Sequence, residues 1–175
     1  MIRTVRTALV LLLATGGPAA CARQARVESG PADSAATDTA TGTVRQVGNT
    51  PFVRTIVEDP SGAVRIVGPY ESEISRLVGA RVQAVGVIDS ASRGRAMGPD
   101  LRASGYTILS VDGDRPTVGY LRRSDAGDFF LRTEEGHDVP LSSVSSALAD
   151  QVGAKVWVVT NAQGAVARYG ILKRP

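Results

Sequence analysis

The feature that most constrains this chain is a segment that occurs twice. Gly62-Ala63-Val64-Arg65-Ile66-Val67 leads through Ile74 and Leu77 to Val78-Gly79-Ala80-Arg81-Val82-Gln83-Ala84-Val85. Gly136-His137-Asp138-Val139-Pro140-Leu141 leads through Leu148 to Val152-Gly153-Ala154-Lys155-Val156-Trp157-Val158-Val159. In each copy the second glycine stands 17 positions after the first, and the copies lie at a constant offset of 74. A repeat of this length points to two supersecondary units of one design, arranged in tandem. Units of roughly 60 to 70 residues lie near the lower limit for independent folding, so the two are expected to pack together.

Each unit reads as strands around one short helix. In the first, residues 41–112, Thr43–Val47, Phe52–Glu58 and Val64–Val67 are expected strands, the last two joined by the turn Asp59-Pro60-Ser61-Gly62. Ser72 is the expected cap of a helix carrying Ile74, Leu77 and Val78 and ended by Gly79. Arg81–Ile88 and Tyr106–Val111 follow as strands four and five. In the second, residues 113–175, the strands are Thr117–Arg122, Asp128–Thr133, Val139–Leu141, Lys155–Val159 and Ala165–Leu172. Its helix, capped by Ser142 or Ser143, carries Val144, Leu148 and Val152. Three strands, a helix and two strands resemble the OB-fold, a five-stranded Greek-key barrel. The expected class is all-β, with one short helix per repeat and two tandem OB-like barrels. That resemblance covers element order and spacing, and a shared fold does not confer a function.

The N-terminus gives the chain an address. A basic Met1–Thr7 precedes the apolar run Ala8–Ala14, which is shorter than the ~20 residues a membrane-spanning helix needs. Pro18-Ala19-Ala20-Cys21 stands next, and Cys21 is the only cysteine. The segment resembles the signal peptide of a bacterial lipoprotein, with Pro18 where that family has a leucine-like residue. The resemblance implies cleavage after residue 20, lipidation of Cys21 and attachment to the membrane through that lipid. Ala22 in place of a retention aspartate would direct it to the outer membrane, facing the periplasm. An ordinary secretory signal cut at Ala20-Cys21-Ala22, or an uncleaved anchor, are the other readings of the same residues, and all three export the chain. Residues 22–40 hold almost no large apolar side chain and read as a disordered tether.

Charge and motifs argue mainly by what they lack. Taking Arg3 and Arg6 from the 20 Lys+Arg leaves 18 against 17 Asp+Glu, a balance that calls for no polyanion. One tryptophan and three phenylalanines are few for base stacking, so nucleic acid is disfavoured as a partner. A lone cysteine forms no intramolecular disulfide. His137 is the only histidine, in a turn with Glu134, Glu135 and Asp138, a set that holds a hard cation weakly at best. No Gly-x-Ser-x-Gly elbow, phosphate loop or dinucleotide fingerprint is present, so no cofactor is implied. Glu71 and Glu73 at the helix start are accounted for by the helix dipole. The matched Tyr106 and Tyr169 read as core or rim packing.

The loop Asp89–Ala103 is where the repeats differ, by 11 extra residues between strands four and five. Its Arg93, Arg95 and Arg102 are the candidate ligand contacts, suited to a carboxylate, phosphate or sugar acid. A tolerated surface insertion with solvated arginines is the plainer reading. The function expected is non-catalytic binding or scaffolding, with an envelope protein or glycan as partner. The alternatives are an exported hydrolase using His137 and an oligonucleotide- or polyanion-binding protein.

Overall fold

Alternation of buried and exposed side chains sets the first five strands. A computed structural model of the chain describes residues 37–94 and 98–175. In the first half, β1 (Asp38–Val47), β2 (Arg54–Asp59), β3 (Gly62–Val67), β4 (Arg81–Ile88) and β5 (Asp100–Ser110) close into a barrel in the order β1-β2-β3-β5-β4. All neighbours are antiparallel except β3 and β5, which run parallel through Arg65↔Asp100, Ile66↔Leu101 and Val67↔Arg102. Val44, Ile66, Val82, Ala84 and Leu101 point inward and are fully buried. A barrel this small needs sharply coiled strands, and two glycines allow them. A Cβ on Gly42 would strike the Glu58 carbonyl, and one on Gly86, at the β4 register shift, would strike that of Arg102.

The second half uses the same neighbours without closing the ladder. Strands β6 (Thr117–Arg123), β7 (Phe129–Arg132), β8 (Asp138–Leu141), β9 (Lys155–Thr160) and β10 (Val166–Lys173) form a sheet in the order β10-β9-β6-β7-β8. The expectation of a second closed barrel therefore reduces to a five-stranded sheet. Its edge strands meet at one parallel bridge, Ser143↔Ala165, where the Val166 N–H donates to the Ser143 carbonyl at 3.0 Å. Pro140 supplies a physical reason. The β7–β8 ladder begins with Thr133 N–H donating to the His137 carbonyl at 2.9 Å, so the amides of residues 138 and 140 face away from β7. Proline at 140 has no N–H to offer a strand on that side.

The repeat survives at the level of single hydrogen bonds. Gly79 N–H donates to the Val44 carbonyl, and Gly153 N–H donates likewise to Leu121. Leu77 to Ile74 and Ala80 to Leu77 recur as Gln151 to Leu148 and Ala154 to Gln151, again 74 residues on. Ahead of the helices the offset slips by one: inward-facing Ile66 corresponds to buried Leu141, while the glycine alignment sets it against exposed Pro140.

The helices α1 (Glu71–Ile74) and α2 (Ser146–Ala149) are single turns. Tyr70, not Ser72, occupies the α1 N-cap, with no side-chain cap bond. Ser145 caps α2 through its hydroxyl, because Ser142 and Ser143 are engaged with the β10 side: Ser142 Oγ donates to the Gln163 carbonyl at 2.8 Å. The strands also reach further than expected. β1 begins inside the segment read as tether, and β5 begins inside the segment read as the arginine loop.

The described residues form one compact unit. Leu172 of β10 is buried in the core of the first half, and Val118 and Trp157 pack against that core from the outer face of the second sheet. Gly170 lies opposite Trp157 in the ladder, and a Cβ there would overlap the indole ring. Leu121, Leu131, Leu148, Val156 and Val158 make a separate core inside the second half. Arg168 ties β10 to the turn between the halves, donating to Asp112 at 2.9 Å and also to Asp114.

Candidate functional site

Lys155 opens β9 at the position where the first repeat carries the exposed Arg81. Its side chain is only 5% exposed, because the outer face of β9 lies against the barrel. Nζ donates to Glu73 Oε2 at 2.9 Å, across the two halves, and to Glu134 Oε1 at 2.8 Å. The Tyr106 hydroxyl donates to the same Glu73 oxygen at 2.8 Å. Tyr70 and Tyr106 meet edge to face at 5.7 Å, and Nζ stands 5.2 Å from the Tyr106 ring centre and 5.9 Å from that of Tyr70. Aromatic faces and two carboxylates thus surround one buried ammonium.

The electrostatics keep Lys155 charged and Tyr106 a neutral phenol at neutral pH. Burial works against the Lys155 ammonium, yet hydrogen bonds to Glu134 and Glu73 and their charges raise its pKa above the usual lysine value. Burial, reinforced by Glu73, pushes the Tyr106 phenol well above the usual tyrosine range. Lys155 is therefore a fixed cation rather than a nucleophilic amine, and Tyr106 a fixed donor.

Beside this cluster lies a cleft of about 300 Å³. Tyr106, Thr107 and Ile108 of β5 form one wall, and Thr117, Val118 and Lys155 another. The Thr133–Glu135 turn and the Arg115-Pro116 connection complete the rim. Glu134 reaches Lys155 from that turn while remaining 61% exposed. The cleft can hold a small molecule through hydroxyl, carboxylate and aliphatic contacts at once.

The residues singled out in the sequence lie elsewhere. Arg93 is exposed just after a 3-10 turn, Ser90–Ser92, and Arg102 is an exposed residue within β5. That turn is stitched to β5, since buried Ser92 donates through Oγ to the Asp89 carbonyl and accepts from the Asp100 N–H. Arg95 and the lipidation candidate Cys21 lie outside the described residues. His137 sits exposed in the β7–β8 turn, its backbone N–H donating to Thr133 Oγ1. Of the carboxylates around it, Asp138 is held by Arg132 at 2.7 and 2.8 Å and Glu134 by Lys155. Among the described residues no three potential metal ligands converge.

Sequence reasoning missed Lys155 and gave Glu73 only a helix-dipole role, whereas its carboxylate bonds to Lys155 and Tyr106. The matched tyrosines each pack against the core of their own half, as expected, and Tyr106 also lines the cleft. A weak signal was present, since Val118, Trp157 and Leu172 make strands of the second half apolar on both faces. The chain matches no family model and no curated protein.

Proposed function

We propose that this chain is an exported, lipid-anchored, non-catalytic binding or scaffolding module of the bacterial envelope, built from two OB-like units. The shared strand order supports the common design, and the Ser143↔Ala165 bridge stands where a closed second barrel would join β8 to β10. Export and lipidation rest on the basic, apolar and Pro18–Cys21 pattern of the sequence.

The binding reading rests on one observation. The only charged side chain among the described residues in the buried core, Lys155, is neutralised by two carboxylates, next to an open cleft. Such a wall can recognise a ligand and offers no free acid–base pair to transform it. The Arg93, Arg95 and Arg102 region is a second contact surface, toward an anionic group on an envelope protein or glycan.

Two measurements test this. Mass analysis of the mature chain is expected to find an N-terminus at Cys21 carrying diacylglycerol, and a product retaining Met1 would overturn the address. Cross-linked pull-down from envelope extract is expected to recover a specific partner, and less of it with Arg93/Arg95/Arg102→Ala. Equal recovery with that variant would remove the arginine surface, and recovery of nothing above background would remove the scaffolding role.

A further inference from the structure

We propose that the cleft beside Lys155 takes an uncharged saccharide unit, of one or two pyranose rings. This deepens the binding reading above and rests on it. The lining is mixed in the way a sugar is mixed. Thr107, Thr133 and Glu134 offer hydroxyl and carboxylate oxygens, and Val118 and Pro116 border them with aliphatic carbon. A pyranose presents hydroxyls at its edge and C–H groups on its faces, so it satisfies both sets together. A volume of about 300 Å³ sits at the small end of ligand sites.

Charge selects against an ionic ligand. Lys155 is matched by Glu73 and Glu134, and Glu135 lies below its ordinary pKa, held there by hydrogen bonds from its own backbone amide and the Thr133 hydroxyl. An ion seated against Lys155 would have to break one of these pairings, leaving only Arg115 at the rim to meet an anion, whereas a hydroxyl group can join them. Glu134 Oε1 is engaged with Lys155, and Oε2 has no hydrogen-bond partner among the described residues. A ligand hydroxyl donating there makes a charge-assisted bond without displacing the lysine.

The face continues past the cleft. Val118 lines it, and Tyr120 lies two residues further along β6, directly opposite both Lys155 and Arg132. Residues opposed in this way share one face of the sheet. Tyr120 is half-buried, and its hydroxyl has no partner among the described residues. Its ring is placed to receive the C–H face of a second sugar. Lys155 and Arg132 on this side are already matched by Glu134 and Asp138, and Glu135 stands at the rim, so little positive charge is left for a phosphate backbone, which favours a glycan over an oligonucleotide.

The test is saturation-transfer NMR and calorimetric titration of the full chain with chitotriose and maltotriose, with an oligothymidine as the polyanion. Binding of at least one trisaccharide is expected, nearly independent of salt. Thr107→Val and Tyr120→Ala are each expected to weaken it by about threefold, and together by about tenfold, the scale of single hydrogen bonds and ring contacts. Both positions lie outside the buried cores, so an unchanged melting temperature serves as the folding control. Binding to neither trisaccharide, binding unaltered in both variants, or binding only to oligothymidine with a steep loss in salt would overturn the proposal. Failure here together with a specific partner in the pull-down would leave the scaffolding role standing.

Discussion

Replacing Lys155 by methionine tests whether the charged cluster holds the two halves together. Removing one member of a fully buried pair costs about 3–5 kcal/mol, because the other charge is left uncompensated. Two features reduce that here. Glu73 is 12% exposed and keeps the Tyr106 hydroxyl, and Glu134, at 61% exposed, returns to water at little cost. The expected loss is therefore about 2 kcal/mol, and about 4–8 °C in melting temperature for a unit of this size. Glu134→Gln is expected to cost under about 0.5 kcal/mol. The assay is urea denaturation at pH 7, followed by fluorescence of Trp157, the only tryptophan and itself packed against the first core. A double-mutant cycle with Glu73→Gln isolates the pair, with an expected coupling of about 1–2 kcal/mol. A coupling indistinguishable from zero, or a Lys155→Met chain as stable as the parent, would refute the reasoning.

Stability is also expected to fall in the alkaline range. Lys155 and Tyr106 both have raised pKa values in the folded chain, so their contribution is complete below the unfolded values of about 10. It is lost as pH rises beyond them, because the unfolded chain then releases protons that the folded chain retains. Denaturation midpoints from pH 8 to 11 check this, and Tyr106→Phe is expected to flatten part of the decline. Gly170→Ala is expected to destabilise by about 1–3 kcal/mol, since its methyl group would overlap the Trp157 ring. A melting temperature equal to the parent's would show that Trp157 repacks freely.

The strands were legible because their chemistry is local. Arg81–Ile88 alternates in sequence and forms β4 over those same residues. The turn glycines and the apolar helix positions carry the repeat down to individual hydrogen bonds. The candidate site was not legible, because it is made by contact between the halves. A lysine at the first position of a strand ordinarily faces water, and nothing near residue 155 in sequence announces a carboxylate 82 residues away. Closure of the second half failed for a different reason. Pro140 fits the apolar alternation of a strand, and only the direction of the missing N–H shows which edge it leaves unsatisfied. The start of β5 was hidden by its composition, since Asp100, Arg102 and Ser104 are polar outward residues interleaved with buried Leu101 and Ala103.

The burial of Leu172 in the first half orders events during synthesis. The barrel's interior is completed by a side chain of β10, 128 residues after Val44 of β1 in the same core. The amino-terminal half thus waits for β10 to emerge, and a nascent chain halted before residue 172 would leave that core short of one fully packed leucine. Removal of Leu172 would be felt first in the core of the amino-terminal half.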